Sequence, residues 1–177
     1  VPIVPQAILF DLESHSAKAL HNRTPYWKLG FDAASGTSKT FSLGNVGAGL
    51  GAKAGSIKGG LGSSSFFVKE LGLTVGALVA VNSAGNVLYP KTRAFYAWDT
   101  ELNNEFGGVH PPKNIDRETV QLPKNTNMGQ NTTLAVIGTD AKLTKAQARR
   151  LAIIAQDGLG RAIRPAHTPL DLSLIHI

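Results

Sequence analysis

No cysteine occurs among the 177 residues, which excludes disulfides, thiolate metal ligands and a cysteine nucleophile, and leaves the redox compartment unread. Charged residues amount to only 17% and aromatic residues to 7%, beside 42% hydrophobic residues. That balance suits a packed globule and excludes a disordered chain. No apolar run reaches the length of a membrane span, and no basic segment precedes Val1-Pro2-Ile3-Val4-Pro5, so neither a membrane anchor nor a signal peptide is visible. The sequence does not open on methionine and reads as an internal piece of a longer chain. The five histidines, His15, His21, His110, His167 and His176, show neither i,i+4 nor HxH spacing, so no metal and no cofactor are expected.

What is present begins with a net charge of +6, spread evenly: residues 1–131 carry 12 basic and 9 acidic side chains, and residues 132–177 carry 6 and 3. The densest basic group, Lys142, Lys145, Arg149 and Arg150, lies at helical spacing opposite Ala148, Leu151, Ala152 and Ala155. A solvated helix face explains it, and without an aromatic platform it gives no reason to expect a nucleic-acid partner.

In chain order, Val4–Leu12 reads as a buried strand around Ala7-Ile8-Leu9-Phe10, and a helix-like stretch runs from about Glu13 to Asn22 before Pro25 interrupts it. A short helix is expected over Leu29–Ala34. From Gly44 to Gly62 the composition shifts, with eight of the 19 glycines in that interval. Such density implies positive φ or close approach of backbones. Gly47-x-Gly49-x-Gly51 departs from the GxGxxG fingerprint, so tight strand packing or a pocket wall is the better reading than a dinucleotide cradle. Lys58, among small neighbours, is a candidate for a cleft-facing ammonium, although a surface lysine on a loop is the more common case.

Thr74–Asn82 is almost continuously apolar and reads as a central strand. Asn82 at its end carries an amide suited to donate to a developing oxyanion. Val87-Leu88-Tyr89 is expected to return as the second arm of a hairpin after the Ser83–Asn86 turn. Residues 90–131, rich in Pro, Asn and Gly, read as an exposed, mobile connector. Thr144 with Gln147 forms a capping box for a helix running to about Ile163.

The stretch on which function turns is Gly129-Gln130-Asn131-Thr132-Thr133-Leu134-Ala135-Val136, a polar run that ends in two threonines where an apolar strand begins. A turn followed by a β-branched strand start accounts for it without any chemistry. If the Asn131–Thr132 bond is broken, however, Thr132 holds both a nucleophilic hydroxyl and a free α-amine to serve as its base.

Several segments together resemble one family. They are Val-Pro-x-x-Pro-x-Ala-Ile-Leu-Phe-Asp-Leu at 1–12, Leu-Gly-Asn-Val-Gly-Ala-Gly at 43–49, Lys-Gly-Gly-Leu-Gly-Ser at 58–63, Val-Gly-Ala-Leu-Val-Ala-Val-Asn at 75–82, Asn-Thr-Thr-Leu-Ala-Val at 131–136 and Leu-Thr-Lys-Ala-Gln-Ala-Arg-Arg-Leu-Ala at 143–152. In this order they resemble the P1 peptidases, also called peptidase family S58, which include L-aminopeptidase/D-esterases, β-peptidyl aminopeptidases and nylon-oligomer endoamidases. The resemblance runs from Val1 to about Asp171. It implies an α+β fold, part of an αββα four-layer sandwich like that of N-terminal-nucleophile hydrolases. It implies a chain that cuts itself between Asn131 and Thr132, residues 1–131 ending the large subunit and 132–171 starting the small one.

Residue by residue, the resemblance makes Thr132 the nucleophile, Asn82 the oxyanion donor and Lys58 a lysine near the site. Asp171 helps hold the nucleophile's amine and proton. Phe10 stands at a substrate-side position where members often carry tyrosine, so a hydroxyl is missing there. The implied substrate is a small peptide, amide or ester, and the implied assembly is a homo-oligomer of αβ heterodimers, with no nucleic-acid or membrane partner. The family's Asp-Gly-Asp becomes Asp171-Leu172-Ser173, and residues 172–177 resemble translated sequencing-adapter DNA more than the family, so they read as a non-native tail. Two other readings stay open: a family member that has lost processing, and a phosphate or nucleotide binder using the Gly44–Gly62 loops.

Overall fold

The computed structural model describes residues 7–11, 26–115 and 130–171. Its centre is a three-stranded antiparallel sheet in the order β3-β4-β5, formed by β3 (Gly60–Val68), β4 (Leu73–Asn82) and β5 (Thr132–Thr139). A two-stranded ladder of β1 (Lys53–Ala54) and β2 (Ile57–Lys58) lies beside it, and two helices, α1 (Tyr26–Ser35) and α2 (Lys145–Ala162), complete a mixed α+β architecture. The apolar run expected at 74–82 is the middle strand, flanked on both sides, as a nearly continuous hydrophobic strand should be.

α2 follows the capping signal closely. The Thr144 hydroxyl accepts from the Gln147 amide, and the Gln147 side chain accepts from the Thr144 amide, so both halves of the box are present. The small and apolar side chains Ala148, Leu151, Ala152, Ala155 and Leu159 face β5 across a gap of about 570 Å³, whose other wall is Thr133, Ala135, Ile137 and Thr139. Alternation along β5 therefore puts Thr133 on the α2 side and Thr132 on the opposite face. A short helix was expected over 29–34; the observed α1 begins three residues earlier, at Tyr26.

Three expectations need correction. Residues 7–11, the described part of the strand expected at 4–12, join no strand ladder. Val87–Tyr89 does not return along β4; it bridges forward, Leu88 to Phe95, because β3 and β5 already occupy both edges of β4. Nor is 90–115 exposed throughout: Tyr89, Ala94 and Tyr96 form a buried cluster with Trp98 and Ile115 packed against it. Tyr89 and Tyr96 meet edge to face at 4.6 Å, and the Arg164 guanidinium lies 4.6 Å from the Tyr96 ring centroid. Here a few aromatics, not periodicity, make the core. The helix expected at 13–22 and residues 116–129 of the connector lie outside the described residues.

Candidate active site

The glycine-rich loops bring backbones together where β4 ends. A Cβ on Gly59 would sit 2.1 Å from the Val81 carbonyl oxygen, and one on Gly49 would sit 2.4 Å from that of Gly44. Only glycine permits such contact, so tight packing accounts for the composition at these positions. The amides of Gly49, Leu50 and Ala52 are spent within the loop, on the Val46, Gly47 and Gly49 carbonyls.

Lys58 is an exposed residue of this loop system, and its ammonium folds back onto the loop. Its Nζ donates to the carbonyls of Leu50, Ala52 (3.1 Å) and Gly49 (3.4 Å). The cleft-facing ammonium expected from the sequence is thus a brace across the glycine loop. Lys58 makes no hydrogen bond to Thr132, whose hydroxyl, like that of Thr133, has no partner among the described residues.

Asn82 and Thr132 face each other in the β4–β5 register. Directly opposed residues hold their Cβ atoms about 5 Å apart on one face of the sheet. Both are buried, at 4% and 2% exposure. The Asn82 side chain uses both ends. Its Oδ1 accepts from the Lys53 amide at 2.9 Å, while Nδ2 donates to the Phe10 carbonyl at 2.9 Å and the Gln130 carbonyl at 3.1 Å. Phe10 enters through its backbone oxygen, a contribution independent of the tyrosine-to-phenylalanine difference. The hydroxyls of Thr132 and its neighbour Thr133, both buried and without a partner among the described residues, are the exceptions in this bonded neighbourhood; of the two, Thr132 is the one opposite Asn82. A buried polar atom left without a partner costs stability, so its persistence calls for a role.

On the other side of the strand start, Asp171 is buried at 5% exposure. Its Oδ1 accepts from the Ala84 amide at 3.1 Å; its Oδ2 accepts from the Thr168 hydroxyl at 2.7 Å and the Thr168 amide at 3.2 Å. The Asp171 backbone bridges Asn131 in parallel, and Asn131 Nδ2 donates to the Leu170 carbonyl at 3.4 Å. The segment reaches this place because residues 163–165 are pinned first: Asn86 and Arg164 exchange two backbone hydrogen bonds of 2.9 Å. His167 then turns the chain at φ 55°.

Asn82, Thr132, Asn131, Asp171 and the Phe10 carbonyl therefore converge on one junction. Reading the sequence missed Thr168 and the Gln130 carbonyl. The first had a signal, since Thr168-x-x-Asp171 is the capping-box pattern, here closing a turn instead of a helix. The second had none, because a backbone oxygen leaves no trace in residue types. Among the described residues no cluster of His, Asp and Glu suits a metal.

Residues 1–171 match the sequence profile of peptidase family S58. The chain is similar to a protein of Mycobacterium bovis named "uncharacterized aminopeptidase", with 43% identity over 174 residues, 97% of this chain and 48% of that one. A protein of the same description from Mycobacterium tuberculosis gives the same figures. One from Mycobacterium leprae is 43% identical over 175 residues, 97% of this chain and 47% of the relative. The chain spans about half the length of the curated relatives it matches. With a profile running through every segment of the junction, from the Phe10 carbonyl to Asp171, the chain belongs to peptidase family S58.

Proposed function

We propose that the complete protein is a self-processing hydrolase of peptide, amide or ester bonds, an aminopeptidase whose nucleophile is Thr132. The observation that carries this reading is the place of the buried Thr132 hydroxyl, which is unpartnered among the described residues as that of Thr133 is, but alone of the two stands at the first position of β5 and directly opposite Asn82. In the first stage the Thr132 Oγ attacks the Asn131 carbonyl carbon, the C–N bond breaks as the hydroxyl proton passes to the departing Thr132 nitrogen, and the acyl group is left on oxygen. Water then hydrolyses that ester, leaving a carboxylate on Asn131 and a free α-amine on Thr132.

In the second stage the amine accepts the hydroxyl proton as Oγ attacks a substrate carbonyl. The leaving amine or alcohol takes up that proton, and water releases the acyl group from Thr132. Asn82 serves the charge that develops on the carbonyl oxygen. One of its Nδ2 hydrogens stays with Phe10, and the one now given to Gln130 becomes available once residue 130 withdraws. Lys58 and Asp171 act here by holding backbone, the first across the glycine loop and the second between Ala84 and Thr168. The four-layer αββα sandwich and the assembly of αβ heterodimers belong to this same proposal for the complete protein.

Intact mass and N-terminal sequencing of the full-length product test it. The expected result is two chains, one starting Thr-Thr-Leu-Ala, with hydrolysis of aminoacyl p-nitroanilides. Thr132→Ala is expected to abolish both the splitting and at least ~10³-fold of the hydrolysis, as loss of a nucleophile does. A single unsplit chain with undiminished hydrolysis in Thr132→Ala refutes the reading. The curated relatives' name, aminopeptidase, supports substrates with a free N-terminus.

A further inference from the structure

We infer that Thr168 is a positioning residue for the self-processing step, acting through Asp171 on the Asn131–Thr132 bond. The inference rests on the self-processing reading above and adds a residue to it. The Asp171 carboxylate has one oxygen on the Ala84 amide, two residues beyond Asn82, and the other on the Thr168 hydroxyl and amide. Its backbone runs beside Asn131, whose side chain is tied to the adjoining Leu170 carbonyl. One buried side chain thus fixes the end of β4, which carries Asn82, relative to the residue that supplies the scissile carbonyl.

What orients that carboxylate is Thr168. Its hydroxyl makes the shortest of the three contacts, 2.7 Å, and at the same time accepts from the Leu170 amide at 3.2 Å, the residue whose carbonyl holds Asn131. The hydroxyl is therefore both the donor that sets the rotation of Asp171 and the acceptor that shapes the turn touching Asn131. A valine of equal shape keeps the packing and loses both bonds. Hydrogen bonds to ionised groups are about twice as strong as neutral ones, and attack on a carbonyl tolerates little misplacement, so the effect is expected on rate.

The test uses the complete protein made by cell-free synthesis, with the chain starting at Thr132 followed in time by mass spectrometry. Thr168→Val is expected to slow splitting about tenfold or more, the change that about 1.4 kcal/mol of lost alignment produces. Thr168→Ser, which keeps the hydroxyl, is expected to stay within about threefold of the parent. Melting temperatures of the same two variants in a Thr132→Ala background separate alignment from folding, and a purely structural role would make rate and melting temperature fall together. Should the valine variant not fold, Thr168→Cys replaces it, with a weak donor of similar size. Equal rates for parent and Thr168→Val, or equal slowing by Val and Ser, overturn the inference while leaving self-processing standing. A parent chain that never splits overturns self-processing and this inference with it.

Discussion

The two ends of the β3–β4–β5 sheet are built on different principles. At the end that holds Asn82 and Thr132, backbones touch, glycine is obligatory at position 59, and buried amides and carboxylates are matched to named partners. At the other end the strands are joined by their ladder and a few polar ties: Thr139 donates to the Thr74 carbonyl and Asp140 accepts from the Thr74 amide. Around it Phe66, Phe67 and Leu71 are 69%, 53% and 68% exposed. One end is over-determined and the other is hardly packed at all. Fixing a reacting bond to a fraction of an ångström requires the first kind of construction, whereas a sheet needs only its hydrogen bonds to be continuous.

The sharpest way to break this contrast is to place a charge at each end. Asn82→Asp keeps the shape but turns a double donor into an acceptor facing the Phe10 and Gln130 carbonyls, with only the Lys53 amide left to satisfy it. A buried, uncompensated charge of this kind costs about 3–5 kcal/mol. Phe66→Asp, at 69% exposure, is expected to cost under about 1 kcal/mol. Denaturant titration of both variants checks the pair, and similar losses at the two ends would erase the distinction.

A methyl group makes a gentler probe. Gly59→Ala puts a Cβ 2.1 Å from the Val81 carbonyl oxygen, a backbone atom that cannot move without shifting β4. The expected loss is about 2–3 kcal/mol, as for strain at a close backbone contact. Gly138→Ala on β5 meets nothing within 4 Å and lies in a strand interior, where replacing glycine is expected to gain about 0.5–1 kcal/mol. Opposite signs in the two melting shifts are the predicted outcome.

The same division explains how much could be read from residues alone. β4, β5 and α2 were legible because each is regular: a continuous apolar run, a threonine-led strand, a capping box with its periodic face. The pairing of Asn82 with Thr132 was not, since register is a tertiary property that neither segment carries alone. β3 escaped because Gly-Leu-Gly-Ser-Ser-Ser-Phe-Phe-Val has no period-two pattern, and an edge strand open to solvent on both faces needs none. Lys58 was singled out for its small neighbours; it is exposed, and its ammonium folds back onto carbonyls that lie six to nine residues before it in the chain, a contact its residue type does not announce.

The smallest expected effect probes the aromatic cluster that stands behind the junction, where Arg164 links the Asn86 turn to the rings. Burial holds the Tyr96 phenol above its ordinary 10.0, the Arg164 charge pulls it back, and Tyr89 pushes it up again. The folded chain therefore keeps this proton more tightly than the unfolded one. Its contribution to stability is complete below about pH 10 and is lost as pH climbs through the raised value. Tyr96→Phe removes the ionisation and keeps the ring, so the melting temperature of the variant should fall less steeply than that of the parent between about pH 9 and pH 11. At pH 7 the two should differ little, because the phenol is neutral there in either state. A parent and variant with parallel alkaline slopes would mean that the cluster opens before Tyr96 ionises, and would move this region from the tightly built end of the molecule to the loose one.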